Sequence, residues 1–200
     1  MNIIRKSSED EMIFEFLKAE YSSDRFSEDI EEAMHHLSLE NGVILSADLH
    51  NAEENALRKK LLGEFRGYGQ NRELFENFPM ELEWSLCSFS GDDLKKIRYI
   101  DYDYWNELSG GTHSPLDAAQ TIRKNIFIFG ENNDGFWRAS EYIKDGGTFP
   151  RMFFLTADFE RFVIVEGHLR MTAYALVPER FNNIEAIVGK CSPEELARWM

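Results

Sequence analysis

Phe162-Val163-Ile164-Val165-Glu166-Gly167-His168-Leu169-Arg170 is a short apolar run that ends in Gly-His-x-Arg. Met171, Ala173, Tyr174, Ala175 and Leu176 follow at once in a helical pattern. A brief apolar run bounded by glycine reads as a buried strand, and the segment after it as a helix. Strand, glycine turn and helix start make an anion site by construction. The first N–H groups of a helix lack internal acceptors and lie at the positive end of its dipole. A glycine before them allows a phosphate to approach the backbone. Arg170 and His168 are placed to add charge and hydrogen bonds. Glu166 falls at the carboxyl end of the strand, where sites of α/β folds gather. It is a candidate to orient His168, to hold magnesium or to accept a proton, against the plainer role of complementing the helix dipole.

Working outward, the second half alternates strand and helix signals. Met80, Leu82, Trp84 and Leu86 alternate with polar residues, as a half-buried strand does. Ser90-Gly-Asp-Asp93 caps a short helix, and an aromatic, acidic stretch, Tyr99 to Trp105, comes next. The loop Ser109-Gly110-Gly111-Thr112-His113 leads to Ser114, a helix cap with Pro115 at the first helical position. Phe136 to Lys144 reads as a helix stopped by Gly146-Gly147. Strands are predicted at Met152–Thr156, Phe162–Val165 and Ile184–Val188, and a last helix is capped by Ser192 with Pro193 next.

The first 78 residues read as mostly helical. Ser8 with Glu11 fits a capping box; Ile30, Ala33, Met34 and Leu37 share one helical face; Asn51 with Glu54 starts a helix that Gly67 ends. The predicted boundary lies near Pro79, with a helical extension over 1–79 and a mixed domain over 80–200, an α+β protein overall.

Composition narrows the partners. Hydrophobic residues make up 43% and Phe occurs 16 times, enough for a folded core. The formal net charge of −14 opposes a broad nucleic-acid platform, though it leaves room for one small nucleotide in a local positive site. Cys87 and Cys191 are the two cysteines and form no Cys-x-x-Cys, so neither a zinc site nor a disulfide framework is expected, and no resident metal-ligand set is read. No apolar stretch has spanning length and the first residues hold no apolar signal core, so the expectation is a soluble, cytoplasmic protein without a membrane partner.

Residues of roughly 84–190 resemble the ParB-like/sulfiredoxin superfamily. The likeness rests on Phe153-Phe-Leu, on Phe162-Val-Ile-Val-Glu166-Gly167-His168-Leu169-Arg170 and on Ile184-Glu-Ala-Ile-Val-Gly189. The nearest form of the motif is Asp-Gly-His-x-Arg, with Glu166 in place of the Asp. The resemblance implies a ParB/sulfiredoxin-like mixed-sheet fold and a nucleotide-phosphate site at Gly167, His168 and Arg170. It also implies that the loop with Thr112, His113 and Ser114 forms the facing side. His168 stands where sulfiredoxins carry their cysteine, which disfavours sulfinic-acid reduction. The acidic charge disfavours the DNA work of ParB proteins. The implied ligand is ATP or another nucleoside phosphate with magnesium. The resemblance does not imply a particular reaction; for an enzyme, the expected class is phosphotransfer or nucleotide hydrolysis with Glu166 or Glu107 as the acidic group. The alternative is a non-catalytic partner-binding or regulatory module that keeps the fold with a vestigial phosphate site and meets a protein partner through its helical extension.

Overall fold

The computed structural model describes residues 1–23 and 25–199 and divides the chain into two compact units: Ser7–Trp84, and Met1–Lys6 together with the residues from Ser85 onward. The helical unit contains α1 (Glu9–Tyr21), α2 (Ser27–His36), the single turn α3 (Gly42–Leu45) and α4 (Ala52–Arg66). The capping signals act as expected from the sequence. Ser8 Oγ accepts from Glu11 N–H, and Asn51 Oδ1 accepts from Glu53 and Glu54 N–H. Gly67, at φ 82°, ends α4 in the left-handed conformation. Met12, Phe16, Ile30, Leu61 and Leu62 are buried.

The least expected core group in this unit is Arg58, which is fully buried on α4. Its guanidinium donates to the carbonyls of Val43 (3.0 Å) and Asp48 (3.1 Å) and to the side chains of Glu54 and Asn55. The segment between α3 and α4 is thus tied to α4 by Arg58, by Glu54, which accepts from Asp48 N–H, and by Asn55, which donates to the Leu49 carbonyl.

The second unit is α+β. Its six-stranded mixed sheet has the order β1-β2-β6-β4-β5-β3, with β1 Asn2–Lys6, β2 Glu83–Phe89, β3 Ile97–Arg98, β4 Met152–Thr156, β5 Phe162–Glu166 and β6 Ile184–Lys190. The helices are α5 (Asp103–Leu108), α6 (Pro115–Arg123), α7 (Asp134–Lys144), α8 (His168–Leu176) and α9 (Pro193–Trp199). β4 runs parallel to β6 and antiparallel to β5, and β5 runs parallel to β3. All five residues of β4 and the first four of β5 are buried, which explains their continuous apolar sequence. Phe89 packs edge-on against Phe154 and Phe162, centroids 5.3 and 5.0 Å away.

Two local readings differ from the sequence expectation. Asn2–Lys6 forms an edge strand paired with β2, bulged between Ile3 and Arg5; its side chains are exposed, so no burial pattern marked it. The strand expected from Met80 begins at Glu83 and leaves Met80 exposed.

Replacing Arg58 with Ala removes a partner from the Val43 and Asp48 carbonyls and from the buried Asn55 side chain. It should lower stability by about 3 kcal/mol, read as a shifted midpoint in urea unfolding.

Candidate functional site

β3 and β5 are parallel neighbours, and both sequence-predicted site segments leave from their carboxyl ends. After β3 come Tyr99, α5 and the loop before α6; after β5 come Gly167 and α8. Tyr99 N–H donates to the His113 carbonyl at 2.8 Å and ties the loop back to the strand. Such carboxyl-end crevices are where open α/β sheets place their sites.

Gly167 occupies the N-cap of α8 with φ 107°, a conformation that excludes most side chains. A Cβ there would lie 2.5 Å from Met152 Cγ and 3.1 Å from Met152 Cβ. The glycine is thus required by its own backbone and by the packing of β4. Arg170, in the first turn of α8, donates to Glu166 Oε1 at 2.6 Å and to the carbonyls of Pro150 (2.8 Å) and Arg151 (3.1 Å). Burial alone would raise the Glu166 carboxyl. The bonded Arg170, the neighbouring His168 and the Gly167 N–H together hold it below the usual range. Glu166 is therefore ionised and is paired across the glycine turn.

His168 is buried at the first helical position. Its ring lies 5.1 Å from Trp105 and 5.9 Å from Tyr99, and Tyr99 is 4.8 Å from Trp105, all three planes within 27° of parallel. The three rings thus form one near-parallel cluster. The Thr172 hydroxyl donates to the His168 carbonyl (2.7 Å), so its proton is committed, and the 2.6 Å bond to Tyr99 has the tyrosine as donor. Burial, only partly offset by Glu166, pushes the imidazole down to about 4, and the ring is neutral at pH 7.

The facing loop is bonded mostly to itself. The Thr112 hydroxyl donates to Asp117 Oδ2 (2.7 Å) and accepts from Ser114 N–H (3.2 Å). Ser114 holds the N-cap position of α6 without a side-chain cap bond, so the side-chain capping expected of Ser114 is not made. His113 sits at φ 56°, and Ser109 Oγ accepts its N–H. Glu107 is exposed on α5; its carbonyl accepts from Gly110 N–H, and its carboxylate has no bond to the motif among the described residues. Tyr102 is 61% exposed at the start of α5, while Tyr99 and Trp105 turn inward.

Among the described residues, three buried polar atoms on these segments have no hydrogen-bond partner: His168 Nε2, His113 Nδ1 and Asn106 Oδ1. Their segments are linked, since Trp105 stacks on His168, Asn106 follows Trp105, and the Asn106 carbonyl accepts from Gly111 N–H. Such orphans are rare in native folds and mark places where water or a ligand completes the bonding. The sequence reading missed Tyr99, Trp105, Asn106, Thr172 and Met152 as parts of this constellation. The close aromatic spacing in Tyr99–Trp105 was the available signal.

No group of three or more His, Cys, Asp or Glu among the described residues is arranged to hold a metal ion. No described helix is long and apolar enough to cross a membrane. No protein-family model, curated protein or solved structure matches the chain.

Gly167→Ala should cost about 2–4 kcal/mol in urea unfolding, from left-handed strain and collision with Met152. His168 also makes stability depend on pH. The unfolded chain takes up this proton below 6.5, whereas the folded chain resists until about 4. Stability therefore falls through that window as pH drops, by on the order of 3 kcal/mol at most from this group. His168→Phe, which keeps a ring under Trp105, should flatten that part of the stability–pH curve; an unchanged slope would contradict the assignment.

Proposed function

We propose that the crevice at the carboxyl ends of β3 and β5 binds a nucleoside phosphate, ATP or a related nucleotide, together with magnesium. The observation that carries this reading is the group of partnerless buried atoms, His168 Nε2, His113 Nδ1 and Asn106 Oδ1, beside the start of α8. The likeness of Glu166-Gly-His-Leu-Arg170 to the ParB-like/sulfiredoxin motif supports it. The N–H groups of the first turn of α8 supply the anion contacts, and Thr112, His113 and Ser114 form the opposite wall. Glu166 is the carboxylate nearest the phosphates and suits magnesium, which takes one or two carboxylates and leaves its other positions to phosphate and water. Bound magnesium would neutralise phosphate charge; phosphotransfer or nucleotide hydrolysis is the reaction class this assembly fits, with Glu166 or the more distant Glu107 as proton acceptor. The protein would act in the cytoplasm, with a nucleotide rather than nucleic acid as partner.

One observation favours a second reading, a partner-binding module with a vestigial phosphate site. Arg170 is already engaged by Glu166 and two carbonyls. In that case the helical unit would carry the protein contacts.

Calorimetric titration with ATP, ADP and CTP in the presence of magnesium should show saturable binding of at least one of them. His113→Ala should weaken it about tenfold with no change in thermal midpoint, the loss of one charge-assisted contact. No heat from any nucleotide at millimolar concentration would overturn the nucleotide reading in favour of the module.

A further inference from the structure

We propose that Asn41-Gly42 is a site of spontaneous modification, where Asn41 converts through a succinimide to isoaspartate and aspartate. Asn41 is the chain's one asparagine followed by glycine, the neighbour that hinders attack on the side-chain amide least. Both residues are exposed. Asn41 stands at the N-cap of α3 yet makes no side-chain cap bond, in contrast to Asn51, whose amide is tied to Glu53, Glu54 and the Glu54 carboxylate. The Gly42 N–H opens the helix and has no intrahelical acceptor. The space beside Gly42 is open, with Ser46 Oγ at 3.8 Å the nearest atom to a Cβ placed there. Attack requires Asn41, now at ψ −19°, to rotate. A helix of a single turn has little cooperativity to oppose that.

In the step, Gly42 N loses its proton and bonds to Asn41 Cγ, the Cγ–Nδ2 bond breaks, and ammonia leaves with that proton. Water then opens the ring at either carbonyl, giving aspartate or isoaspartate. No oxidation or reduction is involved. In isoaspartate the main chain runs through the former side chain and is one methylene longer. The Asn41 carbonyl now accepts from Ile44 and Leu45 N–H, and that geometry is lost. Two residues on, the Val43 carbonyl accepts from buried Arg58, and Ile44 is fully buried. Modification at the exposed cap is thereby coupled to the clasp that holds this segment to α4.

The full chain should be aged in mildly alkaline buffer at body temperature, beside a synthetic peptide of residues 39–44. Peptide mapping should find the amide-to-acid mass change at Asn41 ahead of Asn51. Isoaspartyl methyltransferase with S-adenosylmethionine should label that peptide, and Gly42→Ala should slow the change severalfold. Retention of the Asn41 amide after the peptide has fully converted, or loss no faster than at Asn51, would overturn the proposal. Aged protein should also unfold at a lower temperature than fresh protein; equal midpoints would overturn the coupling to Arg58.

Discussion

The bond between Arg170 and Glu166 organises the crevice. Arg170 reaches from the first turn of α8 to the end of β5 and to the Pro150 and Arg151 carbonyls just before β4. One guanidinium thus joins two antiparallel strands to the helix after them. The pair spans four residues across Gly167, and the span closes because that residue is left-handed. The left-handed turn in turn leaves the volume that Met152 occupies. Turn, ion pair and strand packing each presuppose the other two. An exposed pair of this kind would contribute little. Here removing one partner leaves the other poorly solvated, so the three parts fail together.

The same arrangement changes what the motif does chemically. Gly-His-x-Arg reads as two cations around a phosphate, but the structure makes one neutral and balances the other. His168 lies under Trp105 beside Tyr99, and burial removes its charge. Arg170 faces an ionised Glu166. What remains for an anion is the dipole of α8 and its unpaired first-turn N–H groups.

Much of the fold was legible where one local signal had one local cause. The α+β class, the strands β4 and β5, the caps at Ser8, Asn51 and Ser192, and the glycine stops all follow from periodicity and turn chemistry. β1 was not legible, since its exposed residues acquire strand geometry only from a partner more than seventy residues away. In the crevice, Gly167, His168 and Arg170 could be picked out by type, but not their partners. Met152 and Trp105 meet Gly167 and His168 through tertiary packing, and no spacing in the chain encodes those contacts. Arg58 shows the same limit: an arginine on an otherwise ordinary helix face is surface by composition and core by contact.

The charge balance also constrains the ligand. In a chain of net charge −14, a bare triphosphate meets repulsion at long range and, at the motif, a carboxylate already accepting the arginine's hydrogen bond. Displacing Glu166 would free Arg170 at the cost of an unpaired, poorly solvated anion. A divalent cation would remove the conflict: Glu166 would hold it, and Arg170 could keep the Pro150 and Arg151 carbonyls. On these grounds the latched arginine argues less against a nucleotide than against a nucleotide without its metal. Under the proposed reading, the phosphate would bring with its metal the positive charge that Arg170 keeps engaged with Glu166.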